Sequence, residues 1–299
     1  MNRRAIPAYE MSEVGQESLR REGFVVTTLV QSVVDDPRRL RPHYHDFFQM
    51  MFLRGNGTVM HDFQDDRVSG LTLFFLRPGQ IHTIGPKLGF GGITVSFTQA
   101  FFDHRAAPPS ALFELPFFFP TGGSPLLSVP PDDSTRIGEA FLEMQREFSA
   151  AEANAAEVLR AWLRILFARA LRIYHAAHPA ERPSRQSLLV RRFHLAVEQG
   201  FRSERTLAGY ARELGVTANH LNDVVRKETG RPAGNIIRQR RLLDAQRLLL
   251  HSDLGVAEIG YQTGFPDPSY FSRFFRRETG RTPAGFRREI REKYQSKTG

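Results

Sequence analysis

An internal repeat near the C-terminus is the feature that most constrains this chain of 299 residues. The segment LNDVVRKETGRPAG, which begins at Leu221, matches FSRFFRRETGRTPAG, which begins at Phe271. Leu221 to Gly230 aligns with Phe271 to Gly280 at a shift of 50 residues, and one residue is inserted after Arg281. Two similar units in tandem predict a duplicated supersecondary structure.

The positive charge of the chain is concentrated in the part that contains the repeat. The formal net charge is +9, and residues 187–299 carry 21 Lys and Arg against 12 Asp and Glu. Residues 1–186 carry 20 of each. A concentrated basic region indicates a polyanionic partner such as nucleic acid, although a basic surface that only aids solubility would have the same composition.

Other features of the composition exclude several classes of protein. The chain contains no cysteine, which excludes disulfides and thiolate chemistry and is typical of the cytoplasm. No run of about 18 apolar residues is present, and no apolar segment follows the basic N-terminus. We therefore expect a cytoplasmic protein with no membrane-spanning helix and no cofactor.

The first unit of the repeat has the pattern of a helix-turn-helix. Ala211 and Gly215 lie four residues apart, where a small residue permits close helix packing and a glycine permits the turn. Thr217 is the predicted N-cap of the second helix. The predicted buried stripe of that helix comprises Leu221, Val224 and Val225.

The second unit repeats this plan. Gly260 and Gly264 occupy the positions of the small residue and the turn glycine, and Asp267 or Ser269 can cap the following helix. Its predicted apolar side comprises Tyr270, Phe271, Phe274 and Phe275.

A long amphipathic helix is predicted between the units, over PAGNIIRQRRLLDAQRLLLHS. It would hold the two recognition helices about one DNA turn, or ~34 Å, apart. Arg238, Arg240 and Arg241 would either contact phosphate or form a solvated face.

A recognition helix needs short polar or forked side chains near its start to read bases, and cations further along to bind phosphates. Arg273 is the strongest candidate for reading guanine, and Asn219 or Asn222 could read adenine. Asp223 would accept from cytosine or pair with Arg226 instead. The predicted phosphate contacts are Thr217, Arg226, Lys227, Arg276 and Arg277.

The run IGYQTGFPDPSYFSRFFRRETGRTPAGFRRE resembles the C-terminal signature of the AraC/XylS family of transcription regulators. The resemblance covers about residues 187–295. It implies two helix-turn-helix units, joined by a central helix, that bind adjacent major-groove segments of double-stranded DNA. The base-reading positions that it implies are Asn219, Asn222, Asp223, Pro268, Ser269, Ser272 and Arg273. Pro268 has no side-chain donor, so its position departs from this role.

The N-terminal half has a different pattern. Over residues 20–130, short Phe-rich apolar runs alternate with turn signals at 54–57, 77–79 and 89–92, which predicts a β-sandwich or barrel. Helical periodicity follows over residues 132–177 and predicts either a dimer interface or a cover for the barrel.

Histidines mark a candidate site in this half. His43, His45, Gln49 and Met51 alternate as on one face of a strand, and Pro78-Gly79 precedes His82. This arrangement resembles the cupin pattern, which implies a small jelly-roll barrel. In metal-binding cupins three histidines and a glutamate hold a divalent cation. Gln49 stands here in place of the carboxylate, which weakens the prediction of a metal.

Three interpretations of the histidines remain open. His43, His45 and His82 could hold the metal of a cupin enzyme, or they could be structural. Together with Gln49 they could instead line a pocket for a small organic effector. The AraC/XylS resemblance favours the effector pocket. The eighteen phenylalanines of residues 1–186 would line that pocket or fill the core.

The predicted fold class is α+β with two domains. A cupin-like jelly-roll barrel over residues 1–131 precedes a helical dimerisation region at 132–177. A linker at 178–187 leads to an all-α DNA-binding domain at 188–295. We predict a non-enzymatic transcription regulator that binds DNA and a small organic effector as a homodimer. The alternatives are a metal-dependent cupin enzyme with a DNA-binding tail and a DNA-binding dimer that needs no effector.

Overall fold

The computed structural model of this chain describes residues 7–11, 19, 22–84, 90–104, 112, 115–118, 124–178, 185–203 and 206–295. The chain forms two compact units, Pro7–Glu181 and Arg182–Gly299. The N-terminal unit is rich in β-sheet and the C-terminal unit is helical, so the predicted fold class is confirmed.

The N-terminal unit is built on a six-stranded sheet with the strand order β2-β7-β4-β5-β8, in which β6 also pairs with β4. A separate parallel pair joins β1 to β3. The strands are β1 (Ala8–Tyr9), β2 (Phe24–Thr28), β3 (Tyr44–His45), β4 (Phe48–His61), β5 (Gln64–Leu76), β6 (His82–Ile84), β7 (Phe90–Phe97) and β8 (Leu126–Ser128).

The turn predicted at residues 54–57 is wrong, because β4 runs through this segment without a break. Gly55 pairs with Gly70 of β5, and two facing glycines let a pair of strands bend without ending. The chain reverses instead at Asp62 and Phe63, which have φ angles of 43° and 71°. These left-handed residues form the two-residue loop of the β4–β5 hairpin, in which His61 pairs with Gln64.

Helices flank this sheet and close its core. They are α1 (Leu29–Asp35), α2 (Gln99–Phe102), α3 (Pro131–Ala150) and α4 (Ala155–Ala177), and a 3₁₀ helix spans Pro37–Leu40. The short helices α1 and α2 interrupt the region that was predicted as strands only. Ten phenylalanines are buried in one cluster with α3 and α4, so they form core: Phe24, Phe48, Phe75, Phe97, Phe101, Phe102, Phe117, Phe118, Phe141 and Phe167.

Most of the predicted linker lies outside the described residues, which omit 179–184. Its last residues are helical, because α5 already begins at Arg185. The helices of the C-terminal unit are α5 (Arg185–Gly200), α6 (Leu207–Glu213), α7 (Ala218–Thr229), α8 (Ala233–His251), α9 (Val256–Gln262), α10 (Pro268–Thr279) and α11 (Pro283–Gln295). Within the described part of the chain, no helix is both long enough and apolar enough to cross a membrane.

The repeated Glu-Thr-Gly-Arg sequence forms a helix C-cap twice. The Thr229 hydroxyl donates to the Val225 carbonyl at 2.8 Å, and Gly230 ends α7 at a φ of 72°. Thr279 and Gly280 make the equivalent bonds at the end of α10. Glycine is favoured at this left-handed position, and the threonine binds a carbonyl that the helix leaves free. The two units therefore share these residues because α7 and α10 end in the same type of C-cap.

Two further glycines produce the predicted turns. Gly215 and Gly264 have φ angles of 73° and 83° at the turns between α6 and α7 and between α9 and α10. Gly260 lies against the Phe271 ring, where a Cβ atom would be 3.2 Å from ring carbons. The predicted turn role of Gly215 and Gly264 and the predicted packing role of Gly260 agree with this geometry.

The side chain of Asn222 connects α7 to α8. Its Oδ1 accepts a hydrogen bond of 3.2 Å from the backbone N–H of Ala233, the first residue of α8. The first N–H groups of a helix have no partner within the helix, so a side-chain acceptor stabilises the start of α8. Pro232 precedes α8, and its side chain makes no capping hydrogen bond.

We expect Asn222→Ala to lower the free energy of unfolding by about 1 kcal/mol, because the Ala233 N–H loses its acceptor. Asn222→Asp should keep most of the stability, since a carboxylate also accepts this bond and favours a helix N-terminus. Urea unfolding of the full chain followed by far-UV circular dichroism measures the change. Asn219→Ala, at an exposed position of the same helix, is the matched control. Equal destabilisation by the two alanine variants would contradict the capping role.

Candidate functional site

The two helices α7 and α10 have the same pattern of burial. Each buries three apolar residues at corresponding positions and turns its remaining face outward. The buried residues are Leu221, Val224 and Val225 in α7, and Phe271, Phe274 and Phe275 in α10. The prediction that Tyr270 belongs to the apolar side is wrong. It is 44% exposed because it lies one residue before the buried stripe.

The starts of both helices are fixed by side-chain caps. The Thr217 hydroxyl oxygen accepts from the His220 N–H at 3.2 Å, as the sequence predicted. Asp267, rather than Ser269, caps α10 by accepting from two backbone N–H groups at 2.9 and 3.1 Å. Pro268 is the first residue of α10, where a missing N–H costs nothing, so its role is to start the helix.

The predicted base-reading residues of α7 lie on its outward side. Asn219 and Asp223 are exposed, and Asn222 is half-buried at the α8 cap. Asp223 forms no ion pair with any described residue, so the alternative pairing with Arg226 does not occur. This carboxylate is therefore displayed at the surface of α7.

The predicted base-reading residues of α10 are similarly displayed. Ser269 is exposed, Ser272 is half-buried, and the Arg273 side chain is 72% exposed. The Arg273 guanidinium lies 3.9 Å from the carboxylate of Asp267. An exposed pair at this distance contributes little stability, so the guanidinium can exchange the carboxylate for another acceptor.

The predicted phosphate contacts lie on the same sides of the two helices. Arg226 and Lys227 occupy the last turn of α7, and Lys227 Nζ is 3.3 Å from the side-chain oxygen of Gln186. Arg276 and Arg277 occupy the last turn of α10, where Arg277 pairs with its neighbour Glu278 at 3.0 Å. All four side chains are exposed.

Two arginines of α8 have a structural role that the sequence analysis missed. Arg240 pairs with Glu198 of α5 at 2.8 Å, and Arg241 donates to the carbonyls of Phe201 and Ser203 at 2.8 and 2.7 Å. Both guanidinium groups are engaged in these contacts, which argues against the solvated face predicted for them. Arg238 is exposed. Arg240 and Arg241 differ from Arg238 because they contact α5 and the residues that follow it. The helical periodicity of the sequence does not indicate such contacts.

In the N-terminal unit, two distant segments form one cavity. The backbone of His43 exchanges two hydrogen bonds with that of His82, at 3.0 and 2.9 Å. The Gly79 N–H donates to the His45 carbonyl at 2.8 Å, which anchors the Pro-Gly turn. A bend at Asp46 and Phe47 separates β3 from β4. The predicted set therefore does not lie on one continuous strand.

The four predicted effector-site residues nevertheless line this cavity together. The cavity is narrow and partly open to solvent. His43, His45, Gln49 and His82 form its polar wall, and Ser96 and Thr94 of β7 lie beside them. Its other lining residues are Tyr9, Thr27, Leu29, Ser32, Val33, Arg39, Leu40, Phe47, Met51 and Ile84.

Backbone carbonyls fix the tautomer of each imidazole. The Nδ1 atoms of His43, His45 and His82 lie 2.8, 2.7 and 3.1 Å from the carbonyl oxygens of Arg41, Phe47 and Gln80, respectively. A carbonyl only accepts, so each Nδ1 carries the proton and each Nε2 presents a lone pair.

Burial keeps these imidazoles neutral. It lowers the pKa of His43 to about 4 and that of His45 to about 3, and it holds the pKa of His82 well below its usual value. The neighbouring imidazoles lower the pKa values of His45 and His82 further. All three rings are therefore uncharged at neutral pH.

The three imidazoles lie close together, but the fourth position departs from that of a metal-binding cupin. The rings of His43 and His82 lie 4.2 Å apart between centroids, and those of His45 and His82 lie 4.9 Å apart. Gln49 contributes a neutral amide where a metal-binding cupin has a carboxylate. Among the described residues, no three His, Asp or Glu side chains are arranged to hold an ion.

Comparison with known proteins agrees with both halves of this description. The family model of the AraC-like ligand binding domain matches residues 33–162, and that of a helix-turn-helix domain matches residues 210–289. The chain is 24% identical over 254 residues to the HTH-type transcriptional activator RhaR of Enterobacter sp. (strain 638), covering 84% of this chain and 88% of the relative. It is 25% identical over 259 residues to the activator RhaS of Citrobacter koseri, covering 82% and 86%.

Among solved structures, the C-terminal domain of AraT, a response regulator from Geobacillus stearothermophilus, is 30% identical. That match covers 36% of this chain and 88% of the AraT domain, with a TM-score of 0.34. The paired helix-turn-helix units, the N-terminal cavity domain and the two matching family models lead to one assignment. The chain belongs to the AraC family and is a DNA-binding transcription regulator with an N-terminal ligand-binding domain.

Proposed function

We propose that a small organic effector binds in the N-terminal cavity and controls DNA binding by the C-terminal unit. The observation that carries this proposal is a cavity lined by His43, His45, Gln49 and His82, in which buried polar atoms lack partners among the described residues. Buried polar groups in proteins are almost always hydrogen-bonded, so exceptions in a cavity favour a ligand. The regulator would act in the cytoplasm without enzymatic activity.

Control by an effector requires a difference in affinity between two states of the protein. An effector that binds both states equally shifts nothing, however tightly it binds. The cavity is bounded by β-sheet on one side and by α1 with the 3₁₀ helix on the other. A change in how α1 packs on the sheet would give the effector such a difference.

The proposed active species is a homodimer formed through α3 and α4. Leu142 on α3 and Val158 and Ile165 on α4 are partly exposed large apolar side chains. Apolar side chains of this kind on helices are typical of surfaces that pack against a second subunit.

On DNA, we propose that base contacts come from Asn219, Asn222, Asp223, Ser269, Ser272 and Arg273. Phosphate contacts would come from Thr217, Arg226, Lys227, Arg276 and Arg277. Exposure of Arg273 beside an exchangeable carboxylate supports bidentate binding to guanine. Asn222 can donate through its amide NH₂ while its oxygen caps α8.

We expect Arg273→Ala to weaken binding to a selected DNA site by about 1–3 kcal/mol and to relax the preference at one base pair. Arg273→Lys should recover the charge but not the bidentate preference for guanine. Arg276→Ala should instead weaken all sequences alike and reduce the dependence of affinity on salt. Anisotropy titrations with the selected site, its single-base variants and several salt concentrations measure these effects. Unchanged affinity and base preference in Arg273→Ala would contradict the placement of α10 on DNA.

We expect effector control to be lost when the cavity is filled. Thr94 is buried in β7 and lines the cavity, so Thr94→Phe should occupy the effector volume. A mixed panel of organic acids, aromatics, amines, alcohols and amides is screened with the full chain for saturable increases in melting temperature. A compound that binds should also change the affinity for DNA, and Thr94→Phe should abolish both effects.

Thr58→Phe provides the matched control, because Thr58 is exposed on the same sheet. Circular dichroism confirms that both variants fold. The proposal is contradicted if no compound in the panel stabilises the chain, or if the two variants respond alike.

A further inference from the structure

The three imidazoles of the cavity's polar wall present hydrogen-bond acceptors and no donors. The Nδ1 atoms of His43, His45 and His82 all donate to backbone carbonyls, so their protons are not available to a molecule in the cavity. The Nε2 atoms of His45 and His82 are buried and have no partner among the described residues. Each can only accept a hydrogen bond in this tautomer.

Gln49 does not remove the imbalance. Its amide nitrogen donates to the Ser96 hydroxyl at 3.0 Å, and its Oε1 is buried without a partner among the described residues. Turning the amide over would exchange the positions of nitrogen and oxygen. In that orientation the amide could donate to His45, which lies beside it, and the Nε2 lone pair of His82 would still lack a donor among the described residues.

Among the described residues that line the cavity, Arg39 carries the positive charge. Its guanidinium donates to the Ser32 hydroxyl at 2.8 Å and lies 5.1 Å from the centre of the Tyr9 ring. An anionic group placed against the Nε2 atoms of His45 and His82 would meet lone pairs that cannot donate to it, which is unfavourable in a buried site.

We infer that the effector is an uncharged molecule that donates hydrogen bonds to His45 Nε2, His82 Nε2 and Gln49 Oε1 through hydroxyl or amide N–H groups, and that carboxylates are excluded from this wall. This inference rests on the proposed effector control and specifies the chemistry of its ligand. A ligand with adjacent donors would satisfy the orphaned acceptors together. Neutral imidazoles at physiological pH are consistent with this role.

Matched pairs of compounds test the ligand class directly. The full chain is titrated with lactamide and lactate, with benzamide and benzoate, with benzyl alcohol and benzoate, and with a hexitol and its hexonate. The uncharged member of any pair that binds should bind at least about 100-fold more tightly than its carboxylate. The carboxylate would leave the buried acceptors of the wall without donors, and a site strongly discriminates against such a ligand. A carboxylate that binds as tightly as its uncharged partner would overturn the inference.

Imidazole spectroscopy tests the wall without a known ligand. In the full chain labelled with ¹⁵N-histidine, His45 and His82 should show protonated Nδ1 and bare Nε2 at neutral pH. His45→Gln and His82→Gln assign the signals. Protonation of either Nε2, or an imidazolium, would overturn the inference. If no paired compound binds, the effector proposal fails, whereas the spectrum still decides whether the wall is an acceptor surface.

Titration with Zn²⁺ distinguishes an acceptor wall from a metal site. Three imidazole lone pairs are also metal ligands, so Zn²⁺ alone is titrated into the full chain. The inference predicts no stoichiometric binding that depends on His82. Stoichiometric Zn²⁺ that is lost in His82→Gln and shifts the Nε2 signals would overturn the inference in favour of a metal site.

Discussion

The ion-pair cluster between α5 and α8 is the interaction on which the DNA-binding unit depends. The Arg240 side chain is only 12% exposed, pairs with Glu198 and lies 3.9 Å from the centre of the Phe201 ring. Asp244, one turn further along α8, pairs with Arg202 at 3.0 Å. Loss of Glu198 would leave the largely buried Arg240 guanidinium without its main counter-charge, which is unfavourable. The cluster therefore fixes the orientation of α8.

Both reading units are attached to α8, so its orientation sets theirs. The start of α8 is capped by Asn222 of α7, and Arg287 of α11 donates to the carbonyls of Leu249 and Leu254 near its other end. With 19 residues, α8 is about 28 Å long, which is close to one turn of DNA. A single helix of this length can act as the spacer between two recognition helices.

The repeat, the caps and the turn glycines could be predicted because each reflects a local requirement of the backbone. Thr217 and Gly264 have the same role in any helix-turn-helix, whatever packs around them. The roles of Arg240 and Arg241 could not be predicted, since they depend on α5 and on carbonyls some 40 positions away in the chain. The continuous path of β4 through Gly55 likewise depends on its pairing with Gly70.

Part of the candidate effector site could also be predicted from the sequence. Strand alternation grouped His43, His45 and Gln49, and the resemblance to the cupin pattern added His82 from a distant segment. The protonation of each ring could not be predicted, because it is set by carbonyls such as that of Phe47. The chemistry of the site therefore comes from backbone geometry that the side-chain pattern does not encode.

The central claim is that α8 holds the two reading helices at a fixed spacing. It is tested most directly by inserting five base pairs between the two contacted segments of a selected DNA site, followed by hydroxyl-radical footprinting with the full chain. Half a helical turn places the second segment on the opposite face of the DNA. We expect one segment to lose protection and the affinity to fall to that of a single half-site. Protection of both segments with unchanged affinity would contradict the fixed spacing.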